Sequence, residues 1–316
     1  ASAAAVAAAV ERAATAAGWT CDPVPVADGG EGTLAALGGP NRTTMVTGPL
    51  GDPIEAPWRL HRGTAVVESA LASGLDLVGG AEGNDAVTAS TYGTGELIGQ
   101  AVELGARRVI VGVGGSATTD GGLGALRALH PVQRLRGIEI VVAADVRTAF
   151  VDAAEQFAPQ KGASAAEVEL LRRRLQRLAQ VYEEDHGVDV TTVVGGGAAG
   201  GLAGGLAAIG ASVVSGFDLV ADELDLDERI EGADLVVTGE GFVDRGSFDG
   251  KVVGGVAALG AALDVPVLVV AGEVFDGVGD DLDVVSLVGR FGDERARAET
   301  VDLVEQVVGE SLAARA

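Results

Sequence analysis

Four stretches built around continuous apolar runs constrain this chain more than anything else in it: "RRVIVGVGG", "IEIVVAADV", "ADLVVTGEG" and "VPVLVVAGEV". Each is rich in Val, runs into a glycine or an acid, and alternates with a stretch of helical periodicity. Strands that are apolar on both faces need cover on both faces, so these runs predict a parallel sheet clad by helices. The intervening "GTGELIGQAVELG" and "TDGGLGALRALH" read as helices. "SAAEVELLRRRLQRLAQVYEEDHG" reads as a long amphipathic one, with apolar residues at three- and four-residue spacing. The opening "ASAAAVAAAVERAATAAG" is a further helix, capped by Ser2 and closed by Gly18.

One segment breaks the pattern. "TTMVTGPLGDPIEAPWRLHRGTAVVESA" alternates in polarity and carries three prolines and several turn signals, which predicts antiparallel hairpins. The expected architecture is therefore α/β. A doubly wound, Rossmann-like domain is built from residues 1–42 and 230–316, and a second α/β domain with hairpins is inserted at 43–229. The active site is expected in the cleft between them. "CDPVPVADGGEGT" reads as a short strand around Val24–Val26 running into a glycine-rich acidic loop.

Composition narrows the function. The net charge of −24 repels nucleic acid and anionic membrane, so neither is an expected partner. The same field repels a free nucleotide, so a phosphate site must bring local positive charge or a divalent cation. Cys21 is alone, which excludes an internal disulfide framework and fits a reducing, cytoplasmic location. His61, His130 and His186 lack zinc spacing. Glycine, at 49 of 316 residues, gathers in short loops between apolar runs, as expected of sites lined by backbone.

Ligands of open parallel sheets sit at the carboxyl ends of the strands. "VADGGEG", "VVTGEG" and "VVAGEV" place Asp28, Glu31, Glu240 and Glu273 at three such ends, and Asp145 ends a fourth strand. Clustered carboxylates need a cation or a proton between them, and Mg²⁺ shared with substrate phosphate is the usual solution. The alternative is a set of glycine turns with solvated acids. "GVGGSATTDGG" follows a strand and precedes a helix, so Gly114, Gly115 and Ser116 can cradle an anion, with Thr94 adding a hydroxyl whose other role is capping. Within it Gly112-x-Gly114-x-x-Ala117 fits the dinucleotide fingerprint formally, but the acid expected about 20 residues on is missing.

Lysine is the last signal. Of 22 basic residues only Lys161 and Lys251 are lysines, and each touches a glycine. A compact ammonium suits phosphate as a point charge, where the planar fork of arginine does not substitute freely; the alternative is drift, two lysines that escaped replacement. Lys251 opens a helix, a position unfavourable to a cation unless an anion is present.

Together, "ADGGEGT", "VTGPLGDP", "YGTGELI", "GGSATTDGG", "DV" with "PQKGA", "GGGAAGG", and "TGEGFVD" with "DGK" resemble, in order and over nearly the whole chain, the two-domain glycerate kinase family. The resemblance implies transfer of the γ-phosphoryl of ATP to a hydroxyl of D-glycerate, with Mg²⁺, 2-phosphoglycerate being the favoured product. Such an enzyme takes small-molecule substrates only and is expected as a monomer or homodimer. On this reading Gly29, Gly30, Glu31, Gly114, Gly115, Ser116 and Thr94 bind substrate or phosphate. Lys161 and Lys251 neutralise transferring oxygens, Asp28 or Asp120 orients the attacking hydroxyl, and Asp145 or Glu240 holds the metal. Thr119, Arg147-Thr148 and Ala158 stand where the family usually has Asn, Asn-Pro and Gly. The family's opening strand and Pro-Asp-Ser-Phe-Lys-Gly loop do not precede the first helix here, so a strand and loop ahead of Ala1 are expected. Two rival readings are a nucleotide-dependent dehydrogenase of a small hydroxy acid using the GxGxxA loop, and a non-catalytic binding protein on the kinase fold.

Overall fold

The computed structural model describes residues 2–248, 251–275 and 283–315. The chain divides into two units, Ala27–Val220, and Ala1–Val26 with Ala221–Ala316. Nine strands are described: β1 (Arg42–Thr47), β2 (Pro53–His61), β3 (Thr64–Glu68), β4 (Arg108–Gly112), β5 (Glu139–Ala144), β6 (Ser212–Ser215), β7 (Val236–Val243), β8 (Val267–Val274) and β9 (Asp283–Ser286).

In the 27–220 unit the first six strands form one sheet in sequence order. The β1–β2 and β2–β3 pairs are antiparallel, and β3 to β6 run parallel. The predicted hairpins thus extend the parallel sheet. The β2–β3 connection is a two-residue turn, Arg62-Gly63, with φ of 48° and 85°. Two positive φ values match the twist of the paired strands, and they cost least at glycine. Alternation along β3, β4 and β5 sends Val67, Val109, Val111 and Val142 into one core, with the helix Tyr92–Glu103, the helix Ala165–His186 and their neighbours. Val66, Ile110, Val141 and Ala143 face the opposite way, against Leu34 and Leu219. Period-two strands buried on both faces are what the unbroken apolar runs required.

In the second unit β7, β8 and β9 form a parallel sheet in that order. Leu268 and Val270 pack with the helices Ala3–Ala16 and Thr300–Ala313. Val267, of opposite parity, meets Gly260 of the helix Val252–Ala262. Both faces are again covered.

Two expectations change. No strand forms around Val24–Val26. Pro23 and Pro25 each lack an N–H and fix φ, which removes alternate donors from a would-be ladder. The first crossing between units falls after Val26 instead of after residue 42. The reason lies at the end of β3. The Glu68 carboxylate accepts from Gly32 N at 3.2 Å and Leu34 N at 3.0 Å, which ties residues 27–42 to the larger sheet.

Candidate active site

The site is built where β3, β4 and β5 end. The Asp28–Glu31 loop lies directly on these ends. Gly29 has φ of +92°, and a Cβ there would sit 2.7 Å from Ala143 O, the close of β5. A Cβ on Gly114 would come 2.7 Å from Gly30 Cα. Side chains are excluded at both, so two backbones touch, as the glycine-rich sequence implied. Gly115 packs against the Glu31 carboxylate. Asp28 accepts from Gly30 N at 3.3 Å, and Thr33 Oγ1 donates to Gly30 O at 2.7 Å. Beneath the loop, burial pushes the Glu68 carboxyl above its usual range. The N–H bonds from Leu34 and Gly32 pull it down, and the charge of Glu31 adds to the rise.

The second wall is the Gly112–Asp120 loop. Ala117 N donates to Ser73 O at 2.9 Å, and Leu75 N to Gly115 O at 2.9 Å, across an isolated bridge between Gly74 and Ser116. Gly114 is half-buried and Gly115 exposed, so the backbone of the predicted cradle faces outward there. Ser116 is buried, and its hydroxyl accepts from Thr118 N at 3.1 Å. Thr94 is fully buried and shares a 2.7 Å hydrogen bond with Ser73. Its hydroxyl braces the loop from below.

Asp120 spends both oxygens on structure. It accepts from Thr91 N at 2.9 Å, Thr91 Oγ1 at 2.9 Å, Gly122 N at 3.0 Å and Gly124 N at 3.1 Å. These bonds fasten the start of the helix Leu123–Ala128 to the start of Tyr92–Glu103. The stretch between β4 and that helix is ten residues long, so Gly112-x-Gly114-x-x-Ala117 is not the direct strand-to-helix turn of a dinucleotide site.

Lys161 closes the site from the short turn Pro159–Lys161. It is 4% exposed, and its ammonium donates to Thr118 O at 2.6 Å. Burial lowers its pKa to about 8, with the charge of Asp120 opposing the fall. Asn84, unforeseen in the sequence, holds Ala117 O and Lys161 O with its Nδ2 at 3.0 and 2.9 Å. Asn84 Oδ1, Thr119 Oγ1 and Ser69 Oγ are buried with no hydrogen-bond partner among the described residues. Each such atom costs about 1–3 kcal/mol unless something else satisfies it. Asp145 follows the end of β5 by one residue.

The structure thus gathers Asp28, Gly29, Gly30, Glu31, Gly114, Gly115, Ser116, Asp120, Asp145 and Lys161 at the strand ends of one unit. Glu240, Glu273 and Lys251 belong to the other. Glu240 and Glu273 stand within β7 and β8, since the Gly-Glu pairs continue the strands where turns were expected. Lys251 is the N-cap of the helix Val252–Ala262. Asp249 and Gly250 of the "DGK" stretch lie outside the described residues. Among the described residues there is no group of three or more His, Cys, Asp or Glu placed to hold a metal ion. No helix among them is long and apolar enough to cross a membrane.

The glycerate kinase family model matches residues 1–132 and 130–289. The chain is 40% identical over 294 residues to the glycerate 2-kinase of Escherichia coli K12, covering 81% of this chain and 77% of that protein. It is 37% identical over 289 residues to the glycerate kinase of Bacillus subtilis 168, covering 79% and 75%. A solved structure from Salmonella typhimurium LT2, assigned as glycerate kinase 2, superposes with a TM-score of 0.81 at 32% identity over 99% of this chain and 94% of that one. The chain belongs to the glycerate kinase family.

Proposed function

We infer that this chain phosphorylates D-glycerate with ATP and Mg²⁺, the 2-hydroxyl being the favoured acceptor. The observation that carries the reading is Lys161. An ammonium buried at a strand-end loop with a single backbone acceptor among the described residues is costly, and an anionic ligand offsets the cost. Phosphoryl transfer asks mainly for positioning and charge neutralisation, which fits a loop of glycine backbone beside one buried cation.

Within this reading the roles divide by what each group has left to give. Gly114 and Gly115 offer outward backbone to an anion, and Gly29 and Gly30 shape the adjoining wall. Asp28 commits one oxygen to Gly30 N, so the other is the group that orients the attacking hydroxyl. Asp120, with both oxygens committed, positions the loop. Thr94 and Ser116 brace it. Lys161 neutralises charge on the transferring group, and Lys251 does the same at its helix start. Glu31 and the unpartnered Thr119 and Asn84 oxygens select the polar substrate.

Mg²⁺ in kinases is usually held by one or two carboxylates together with nucleotide phosphates. Asp145 or Glu240 would hold it. When bound, the ion would screen the charge of the phosphates.

Incubation of the full chain with ATP, Mg²⁺ and D-glycerate, with products resolved by phosphorus NMR, tests the reading. Phosphoglycerate and ADP in equal amounts are expected. ADP release that glycerate does not change, with NADH consumed on a 2-oxo acid, would establish the dehydrogenase reading instead.

A further inference from the structure

Among the described residues Phe242 and Phe275 are the most exposed aromatic side chains. The chain has only seven phenylalanines, and these two leave 51% and 50% of their surface exposed. Their rings stack on one another, with centroids 6.2 Å apart and planes 27° from parallel. Phe242 lies in β7, opposite Glu273 of β8, and Phe275 follows β8 directly. Phe275 N donates to Val243 O at 3.0 Å, so backbone pairing between the two strands fixes both residues. Neither side chain fills a core. The pair sits at the carboxyl ends of adjacent parallel strands, where α/β sheets bind ligands. The crossover between those strands runs through the helix that Lys251 caps.

We propose that Phe242 and Phe275 form the stacking platform for the nucleobase of the phosphoryl donor. The inference rests on the phosphoryl-transfer reading above. Among the participants of that reaction only the base has a flat π-face. Glycerate is a small polyhydroxylated acid, and phosphate oxygens gain nothing from a phenyl ring. Phenyl rings carry no hydrogen-bonding group, so the platform holds a base by stacking and does not read its edge. Purine nucleotides should therefore bind alike, and pyrimidine nucleotides more weakly.

The test compares the binding of ATP, CTP and inorganic tripolyphosphate to the full chain by titration calorimetry with Mg²⁺ present. Donor and glycerate KM are measured in parallel. Alanine removal of a stacking ring costs about 1–3 kcal/mol per base, so the double variant Phe242→Ala/Phe275→Ala should bind ATP roughly tenfold or more weakly. Its tripolyphosphate affinity and glycerate KM should stay at wild-type values. Phe242→Trp, which keeps a stacking face, should retain ATP binding. If the wild type phosphorylates glycerate and the double variant binds ATP unchanged, the platform is refuted and the kinase reading stands. If the wild type makes no phosphoglycerate from any donor, that reading falls and the platform with it.

Discussion

The two units end their parallel strands in opposite ways. In the 27–220 unit the strand ends are covered by loops braced from several sides. Ser73, Thr94, Asp120 and Glu68 all spend their polar groups on backbone or on one another. Lys161, beside them, is almost wholly buried. In the other unit β7 and β8 stay paired with one another through Val243 and Val274 and carry Glu240, Phe242 and Glu273 on that paired strand, and Lys251 is only half-buried at a helix start. A braced, buried loop holds its groups before any ligand arrives, at a standing cost in stability. A paired strand end is ordered by its own ladder and leaves Phe242 and Phe275 half exposed to a ligand.

The sharpest break of this contrast is at Lys161. Lys161→Met should lower kcat by roughly 10²- to 10³-fold, the scale of one lost electrostatic donor. The same change should raise the melting temperature, because an apolar isostere escapes the burial cost. A variant with wild-type kcat would place Lys161 outside the chemistry. Lys161→Arg should recover only part of the rate, since the larger planar fork does not fit a buried point-charge position. At the half-buried Lys251 the arginine variant should keep most of the activity. Equal responses at both lysines would dissolve the distinction between the units.

Asp120 and Asp28 sharpen it next. Asp120→Ala leaves the N–H groups of Thr91, Gly122 and Gly124 without their acceptor, for a loss of about 2–4 kcal/mol in denaturant unfolding. Asp28→Asn should leave unfolding near wild type and cut kcat. The reverse pattern would exchange their roles.

Much of the framework was legible in the sequence because it is local. The runs "VIVG", "IVVAA" and "VLVVAG" are apolar at every position, and their strands follow from that alone. The glycine loops were legible as places where backbones meet. The uses of the polar groups were not, because their partners are distant in sequence. Asp120 bonds Thr91 across 29 residues, Glu68 bonds Gly32 across 36, and Asn84 bonds Lys161 across 77. Motif spacing also cannot tell that Thr94 points at Ser73, or that Gly-Glu after "VVT" continues a strand. The failed strand at "CDPVPV" had a local signal in its two prolines.

A further effect is on the pH dependence of stability. Lys161 titrates at about 8 in the folded chain and at 10.5 when unfolded. Between these values the unfolded chain binds more protons, so stability rises with pH across the window and the burial cost is present in full below about pH 8. The ceiling of this gain is ~3 kcal/mol, the opposing charge of Asp120 being already contained in the shift. Unfolding followed from pH 7 to 10 should show the rise in the wild type and lose it in Lys161→Met. Catalysis should move the other way, falling as the ammonium deprotonates above pH 8.

On this reading the braced loop around Lys161 neutralises a transferring phosphoryl group. Single-turnover transfer from γ-labelled ATP to D-glycerate measures it most directly, with wild type and Lys161→Met compared at saturating substrates. The account predicts labelled phosphoglycerate from the wild type and a transfer step slowed at least 100-fold in the variant, with its fold intact by circular dichroism. Equal transfer rates in the two proteins would contradict it.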